Sequence, residues 1–282
     1  MQKEKNKKAI KAYYVDSKES RWGYKYLLRG TKHYGYYPLN RKLSIAKSQL
    51  EMEKQIGETL GLKTGAHVLD AGCGEGWVAL HLAQIFGYRI HGIDLLNDPS
   101  IVESNKKKEK YAALDLEFTE MDYSDLKFPD NTFDGVYTIE TLVHSPDYSK
   151  TLKEFYRVLK PGGVLVNFEY SMDDNMNTDV EQVWRFIYEK ASMHTLDGFR
   201  MGKVIGNWEE AGFGTVSVED ITQNIRPFMR MLYRLAILPY GLTKLLGNEK
   251  SHLNTYVGVK SYQKKQRPSF HYVIVKAYKP KR

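Results

Sequence analysis

Residues 68–94, VLDAGCGEGWVALHLAQIFGYRIHGID, decide the fold of this chain. A short apolar segment is followed by glycines at alternate positions, then by an amphipathic helical segment and a second short apolar segment that ends in Asp94. Short strands that alternate with helices are typical of a parallel sheet. The glycines allow a tight turn and bring backbone N–H groups towards a ligand at the start of a helix. We therefore expect a strand, a ligand-binding turn, a helix and a second parallel strand.

The same alternation continues towards the C-terminus. The predicted elements are a helix in SNKKKEKYAAL (104–114), strands in LEFTEMD (116–122) and FDGVYTIE (133–140), a helix in YSKTLKEFYRVLK (148–160), which KPGG stops, and a strand in GVLVNFEY (163–170). A later pair, KVIGNWEEAGF and GTVSVEDI, predicts a helix and a strand. The tail SFHYVIVKAY predicts a late strand that is antiparallel or lies at an edge. The fold class is α/β, a Rossmann-like, doubly wound and mostly parallel sheet with a late antiparallel strand.

Two parts of the chain fall outside this alternation. Residues 1–60 predict an N-terminal helical cap with an aromatic segment, GTKHYGYYP, and a helix in LSIAKSQLEMEKQIGETLGL. Residues 61–282 form the α/β domain, with helical insertions at about 171–200 and 224–250. We expect the insertions above the carboxyl edge of the sheet, where ligands of open α/β sheets bind.

Composition limits the compartment and the class of protein. The 282 residues are 42% hydrophobic, which is enough for a full core, and the one cysteine, Cys73, cannot close an internal disulfide. No apolar run approaches the roughly 18 residues of a membrane span, and the first residues lack the apolar core of a secretory signal. We expect a cytoplasmic protein.

The charge is concentrated at the two ends of the chain. Residues 1–47 carry a balance of +10 and residues 248–282 one of +8, and since the whole chain carries +8, the 200 residues between them carry −10. Solvated ends, attraction to an anionic membrane surface or a phosphorylated substrate explain this better than nucleic-acid binding. Arg226, Arg230 and Arg234 recur every four residues beside leucines, which indicates a solvated helix face, a membrane-surface helix or a phosphate clamp.

Three carboxylates at the ends of successive strands indicate the ligand. The spacing G-x-G-x-G departs from the dinucleotide fingerprint, and Asp70, directly before the glycines, would repel a pyrophosphate but suits a cationic amino group. Asp94 stands where a carboxylate accepts hydrogen bonds from ribose hydroxyls, and Asp122 could accept one from an adenine amino group.

VLDAGCGEG, together with LKFPDNTFD (126–134) and EFYRVLKPGG (154–163), resembles the class I S-adenosylmethionine-dependent methyltransferases. The resemblance implies that the cofactor is S-adenosylmethionine. It implies a methionine end lined by Asp70, Gly72, Cys73 and Gly74, a ribose site at Asp94, and an adenine site of Leu95, Asp122 and Tyr123. Gln49 either reaches the cofactor carboxylate or faces solvent.

ETLVHSPD (140–147) resembles the sterol C-methyltransferase and tocopherol methyltransferase branch, which implies a small lipophilic acceptor. Methylation of an alkene carbon creates a carbocation, which aromatic faces such as that of Tyr34 stabilise and a base then deprotonates. We expect Glu169 to be the base, with His144 and Glu140 as the next candidates. Each has an alternative role: Glu169 in a structural hydrogen bond, Glu140 in orienting the cofactor, His144 in capping a loop and Tyr34 in packing.

Other functions remain open at this point. The same fold could methylate an oxygen or nitrogen of a natural product, with His144 as the base. A nucleic-acid methyltransferase is less favoured, because no Asn/Asp-Pro-Pro-Tyr-like motif follows the fourth strand. The third possibility is a protein that binds the cofactor without catalysis. No spacing of His or Cys predicts a metal site, although a diphosphate substrate could carry in magnesium.

Overall fold

The computed structural model of the chain describes residues 2–17, 28, 30–39 and 41–281, so residues 18–27 of the predicted cap lie outside it. Within the described residues, seven strands form one sheet. The strands are β1 His67–Ala71, β2 Arg89–Asp94, β3 Leu116–Glu120, β4 Phe133–Ile139, β5 Leu159–Met172, β6 Val216–Asp220 and β7 Phe270–Tyr278.

Helices pack on both faces of the sheet and at its carboxyl edge. The α-helices of the described residues are α1 Gln2–Lys11, α2 Ile45–Leu60, α3 Trp77–Phe86, α4 Val102–Lys110, α5 Tyr148–Val158, α6 Thr178–Lys190, α7 Val204–Glu210, α8 Thr222–Leu245 and α9 Leu253–Lys260. A π-helical turn, Ala12–Asp16, continues α1, and a 3-10 turn, Leu142–His144, follows β4. Among the helices of the described residues, none is long and apolar enough to cross a bilayer.

The strand order confirms the predicted fold class. It runs β3-β2-β1-β4-β5-β7-β6, with β1 to β5 parallel and β7 antiparallel to both of its neighbours. The late strand is therefore antiparallel, and β6 rather than β7 forms the edge. β1 and β4 are neighbours at the centre of the sheet. β2 lies on the other side of β1 from β4, so the strand order reverses between β1 and β4. Ligands of open α/β sheets bind at such a switch point.

β5 begins at Leu159, four residues before the predicted start at Gly163. Leu159 pairs with Phe133, and the register then shifts so that Val164 pairs with Gly135. The bulge absorbs Pro161, which has no N–H to donate, and Gly162, whose φ is +81°.

Local chemistry explains how the glycine turn forms. Gly72 has φ of +96°, in the left-handed region that favours glycine, and a Cβ on it would lie 2.3 Å from Oγ1 of Thr141. The turn ends at Gly76, which precedes the first residue of α3, so the N-terminus of that helix points towards the carboxyl ends of β1 and β4.

The segment 30–39 bonds to two helices, α2 and α8. The N–H of Tyr36 donates to the carbonyl of Ser48 in α2 at 2.8 Å, and the N–H of Tyr37 donates to the carbonyl of Asn224 in α8 at 2.9 Å. Farther towards the N-terminus, Lys7 of α1 forms an ion pair with Glu120 at the end of β3. These contacts place the segment 30–39 beside α2 and α8, and α1 beside the end of β3.

Candidate active site

Two adjoining cavities open at the carboxyl edge of the sheet. The first, the glycine-turn cavity, has a volume of about 120 Å³ and lies at the ends of β1 to β4. The second, the apolar cavity, has a volume of about 500 Å³ and lies between β5, α6, α8 and α9. Four residues line both cavities: Tyr14, Lys32, His33 and Glu140.

The glycine-turn cavity brings together nine of the residues that the sequence indicated. They are Gly72, Cys73, Gly74, Asp94, Leu95, Asp122, Tyr123, Glu140 and His144. Tyr34 lines the apolar cavity instead, and Asp70, Gln49 and Glu169 line neither.

Asp70 lies directly behind the glycine turn. Its side chain is 1% exposed, and within the part of the chain that the structure describes its Oδ2 has no hydrogen-bond partner. Burial raises the pKa of this carboxyl group to about 7, and the nearby carboxylate of Asp94 acts in the same direction. A cation near the turn would stabilise the ionised form of Asp70.

Asp94 organises the turn from the end of β2. Its carboxylate accepts from the N–H of Gly74 at 3.0 Å and from the N–H of Leu96 at 2.8 Å. Burial raises the pKa of Asp94, while these two N–H groups and the charge of Lys32 oppose the shift. A half-buried carboxylate with its two oxygens held in this way suits the role of a fixed acceptor for hydroxyl groups of a ligand.

Asp122 and Tyr123 close the side of the cavity beyond β3. Oδ1 of Asp122 accepts from the N–H of Ser124 at 2.9 Å and from its hydroxyl at 2.7 Å. The hydroxyl of Tyr123 donates to the carbonyl of Thr141 at 2.9 Å, which ties this side to the loop after β4.

Glu140 connects three parts of the chain at the wall between the cavities. Its backbone has φ of +49°, unusual for a residue other than glycine. Oε1 accepts from the N–H of Tyr34 at 2.7 Å and from the hydroxyl of Tyr272 at 2.8 Å, and Oε2 accepts from the hydroxyl of Tyr170. Burial raises the pKa of Glu140, and these donors oppose the shift.

His144 is a neutral imidazole in this site. Its Nδ1 lies 2.9 Å from the carbonyl of Ser192, so Nδ1–H is the donor, and Nε2 accepts from the hydroxyl of Tyr14 at 2.8 Å. Burial lowers the pKa of His144 to about 4. A neutral imidazole with this tautomer can accept a hydrogen bond from Tyr14, as here, or from a ligand hydroxyl in its place.

Glu169 is fully buried behind the loop that carries His144. Its Oε2 accepts from the N–H of Val143 at 3.2 Å, and its Oε1 accepts from the N–H of Tyr170 at 3.1 Å. Burial raises the pKa of Glu169 well above its usual value, and the charge of Glu140 adds to the effect. In this surrounding the carboxyl group orients the 142–144 turn.

Gln49 supports the cap from below. It is 1% exposed and so does not face solvent, and its amide donates to the hydroxyl of Thr31 at 2.5 Å and to the carbonyl of His33 at 3.3 Å. His33 is buried beside Glu53 of α2, with Nε2 3.3 Å from the carboxylate, and Glu53 also meets Nδ1 of His81 at 2.7 Å. Gln49 and Glu53 therefore fix the backbone of residues 31–33.

The apolar cavity is lined mainly by aromatic and aliphatic side chains. Tyr34 and Tyr170 stand at the end nearest Glu140, with their ring centroids 5.9 Å apart. Trp184 of α6 and Leu232 of α8 line the wall farther along. A cavity of this kind suits a lipophilic molecule, and one end of it adjoins the glycine-turn cavity.

Sequence reasoning did not assign Lys32, His33 or Tyr14 to the site. Lys32 and His33 lie inside the aromatic segment GTKHYGYYP. Two adjacent basic residues inside an aromatic segment are the signal that could have identified them. No local periodicity places residue 14 beside residue 144.

Comparisons with known proteins identify relatives of this chain. A family model described as a methyltransferase domain matches residues 69–167. The S-adenosyl-L-methionine-dependent Diels-Alderase iccD of Talaromyces variabilis is 35% identical over 97% of this chain and 95% of its own length. The sterol 24-C-methyltransferase erg6 of Aspergillus fumigatus is 33% identical over 60% of this chain, but the match spans only 45% of that enzyme.

The geranyl diphosphate C-methyltransferase of Streptomyces coelicolor A3(2) has a similar fold. The TM-score is 0.71 at 17% identity, and the match covers 97% of each chain.

Proposed function

This chain belongs to the S-adenosylmethionine-dependent methyltransferase family, and from that premise we propose that it methylates a small lipophilic acceptor, most favourably at a carbon of a prenyl, terpenoid or sterol-like alkene. The observation that carries the proposal is the shared wall between the two cavities. A cofactor in the glycine-turn cavity and an acceptor in the apolar cavity would meet at Tyr14, Lys32, His33 and Glu140.

The residues of the glycine-turn cavity fit the cofactor. The Oδ2 of Asp70, which no described donor reaches, is a buried acceptor behind the turn. A Cβ on Gly74 would meet no described atom within 4 Å, so the backbone there is open to a ligand. We propose Asp94 as the acceptor for the ribose hydroxyls, and Leu95, Asp122 and Tyr123 as the adenine site. When bound, the cofactor supplies a methyl group on a positively charged sulfur that is already activated for transfer.

The end of the apolar cavity next to the shared wall would supply what C-methylation of an alkene requires. Methyl transfer would break the methyl–sulfur bond and leave its electron pair on sulfur. The alkene electron pair would form the new carbon–methyl bond, which leaves a carbocation on the adjacent carbon. The faces of Tyr34 and Tyr170 can stabilise this charge by about 0.5–2 kcal/mol each. Loss of a proton from a neighbouring carbon restores the double bond.

We propose that Glu140 takes this proton, because its carboxylate lines the apolar cavity. Glu169, expected from the sequence as the base, then acts as a positioning residue, because its carboxyl group is bonded to backbone N–H groups. For an acceptor with a hydroxyl group, the pair of Tyr14 and His144 would take the proton instead, and an oxygen would be methylated.

A second candidate function is a cycloaddition, favoured by the relative that matches along almost the whole chain and is named as a Diels-Alderase. Such a reaction forms new carbon–carbon bonds within one substrate and requires no net proton transfer. The 500 Å³ apolar cavity could hold a flexible polyene in a folded conformation.

One experiment distinguishes the two functions. The protein is incubated with methyl-labelled S-adenosylmethionine and separate lipid, polyketide and RNA pools, and each product is examined for label. Methyl transfer predicts labelled lipid that disappears when S-adenosylhomocysteine replaces the cofactor. Cycloaddition predicts an unlabelled isomer of the substrate, formed with either nucleoside. Label in RNA alone would contradict both functions.

We also propose a cytoplasmic enzyme in peripheral contact with a membrane surface. Leu238, Leu242 and Leu245 of α8 are 77%, 66% and 86% exposed, and Lys244 lies among them. Leu235, half exposed on the same helix, also lines the apolar cavity. An apolar helix surface beside lysines suits the interface of an anionic bilayer, and it would let a lipophilic substrate enter the cavity directly.

Co-sedimentation with phosphatidylcholine vesicles that contain phosphatidylserine tests this contact. The double variant Leu238→Glu/Leu242→Glu should lose binding. Leu39→Glu is the matched control, because Leu39 is 79% exposed and lies near the start of α8, while Leu238 lies about 21 Å farther along the helix. Equal binding of both variants would remove α8 from the contact.

A further inference from the structure

We infer that Lys32 binds an anionic oxygen of the acceptor, so that the acceptor is an unsaturated, lipophilic molecule with an enolate, phenolate or carboxylate at its reacting end. The inference rests on the proposal that the apolar cavity holds the acceptor, and it adds the chemical class of that molecule.

Lys32 is half-buried, and its ammonium forms no ion pair with any carboxylate of the described residues. It lines both cavities, and none of the carboxylates that the structure describes lies within 4.0 Å of its Nζ. No described oxygen accepts a hydrogen bond from it. Its Nζ stands 5.0 Å from the centroid of the Tyr14 ring, whose hydroxyl donates to His144. A partly desolvated ammonium is costly unless it is paired, so this position suits an anion.

The carboxylates of Glu140 and Asp94 line the glycine-turn cavity together with Lys32, and both already accept hydrogen bonds from other donors. Glu140 accepts hydrogen bonds from Tyr34, Tyr170 and Tyr272, and Asp94 accepts from two backbone N–H groups. The N–H groups of Lys32 therefore donate to neither of these two carboxylates.

The position of Lys32 along the cap identifies which ligand it serves. Gly30 and Thr31 line only the glycine-turn cavity, Lys32 and His33 line both, and Tyr34 lines only the apolar cavity. Lys32 therefore lies where cofactor and acceptor meet. A sulfonium bound near this boundary would be a second positive charge beside Lys32, and an anionic oxygen on the acceptor would reduce the repulsion between the two cations.

The remainder of the apolar cavity suits the rest of such a molecule. Trp184, Ile187, Phe228 and Leu232 offer aromatic and aliphatic contacts away from Lys32. The chemical class is therefore an amphiphile with one charged oxygen at the shared wall and a hydrocarbon body. One ammonium group matches a single negative charge.

Calorimetry with decanoate and decan-1-ol tests the inference without requiring the natural substrate or turnover. Both probes have the same chain, and both are titrated below their aggregation limits at pH 8, with S-adenosylhomocysteine saturating. Wild type should bind decanoate about tenfold to a hundredfold tighter, the range of a charge-assisted hydrogen bond. Lys32→Met should remove this preference while the affinity for decan-1-ol persists, and Lys32→Arg should retain it.

Lys264→Met is the matched control, because Lys264 is exposed and lines neither cavity, and it should behave as wild type. A second measurement uses the wild type alone. Sinefungin carries an amine in place of the sulfonium and should strengthen decanoate binding relative to S-adenosylhomocysteine. Decyl phosphate, with two charges, should bind no tighter than decanoate.

Three results would overturn the inference: equal affinity of wild type for acid and alcohol, a preference for decanoate that survives in Lys32→Met, or a Lys32→Met variant that loses only cofactor affinity. The last result would assign Lys32 to the cofactor carboxylate. If decyl phosphate bound tighter than decanoate, the acceptor class would be a phosphate and not a molecule with a single negative charge. Failure of label transfer, measured separately, would leave the preference for decanoate intact, so failure of the proposed function is distinguishable. If neither lipid binds, both the inference and its premise fall.

Discussion

Replacement of Glu53 by glutamine should loosen the cap that carries Lys32 and His33. Glu53 is 2% exposed and forms ion pairs with His33 at 3.3 Å and His81 at 2.7 Å. Loss of one partner of a buried ion pair costs about 3–5 kcal/mol, and we expect the lower limit because the glutamine oxygen still accepts a hydrogen bond. At about 2–4 °C per kcal/mol, the unfolding temperature should fall by about 6–12 °C.

The loss of stability in Glu53→Gln should depend on pH, and the pKa shifts of His33 and Glu53 give its direction. Burial alone would lower the pKa of His33, but the Glu53 carboxylate outweighs it, so the pKa is raised from 6.5. Burial alone would raise the pKa of Glu53, but the two histidines outweigh it, so the pKa is lowered from 4.5. Stabilisation through His33 is complete below pH 6.5 and is lost as the pH rises through its folded pKa. Stabilisation through Glu53 is complete above pH 4.5 and is lost as the pH falls through its folded pKa.

Urea unfolding at pH 6 and pH 9 measures the effect. The difference in unfolding free energy between wild type and Glu53→Gln should be larger at pH 6. Glu58→Gln is the control, because Glu58 lies on the same helix and pairs with Lys54 at 2.9 Å but is 45% exposed, so its loss should cost less than about 1 kcal/mol. The reasoning would be refuted if the two variants lost equal amounts of unfolding free energy. It would also be refuted if the loss in Glu53→Gln were no smaller at pH 9 than at pH 6.

Three further predictions concern the site. Gly72→Ala should abolish nucleoside binding, measured by calorimetry, and should lower stability by at least about 1–3 kcal/mol, because its Cβ would lie 2.3 Å from Thr141 at φ of +96°. Asp94→Asn should weaken S-adenosylhomocysteine binding about tenfold to a hundredfold through lost charge-assisted hydrogen bonds, whereas the exposed Asp115→Asn should not. Glu140→Gln should lower the turnover of an alkene acceptor at least about a hundredfold while nucleoside binding persists; unchanged turnover would remove Glu140 from the mechanism.

Most of the fold was predictable because its signals are local. The glycine turn, the strand before it and the helix after it lie within about twenty residues, and positive φ angles at Gly72 and Gly76 follow from residue type. Acidic residues at strand ends were also readable, because parallel strands place their carboxyl ends at one edge. Asp94 and Asp122 accordingly lie in the same cavity.

The assignment of roles among the carboxylates was not readable from the sequence. Glu140 and Glu169 both follow or end apolar strands, and nothing local distinguishes them. The structure places Glu140 on the shared wall and bonds Glu169 to backbone N–H groups behind it. Which of them takes a proton remains a prediction, and the Glu140→Gln and Glu169→Gln variants together test it.

The sequence by itself determined the sheet, the glycine turn and the row of acidic residues beside it, because each depends on residues that are near neighbours along the chain. Only the tertiary structure decided which side chains complete the site. Tyr14 meets His144 across 130 positions, Tyr34 meets Glu140 across 106, and Tyr272 meets Glu140 across 132. Such contacts arise from the packing of the cap and the late strand β7 against the sheet, and no periodicity in the sequence encodes a distance between segments so far apart.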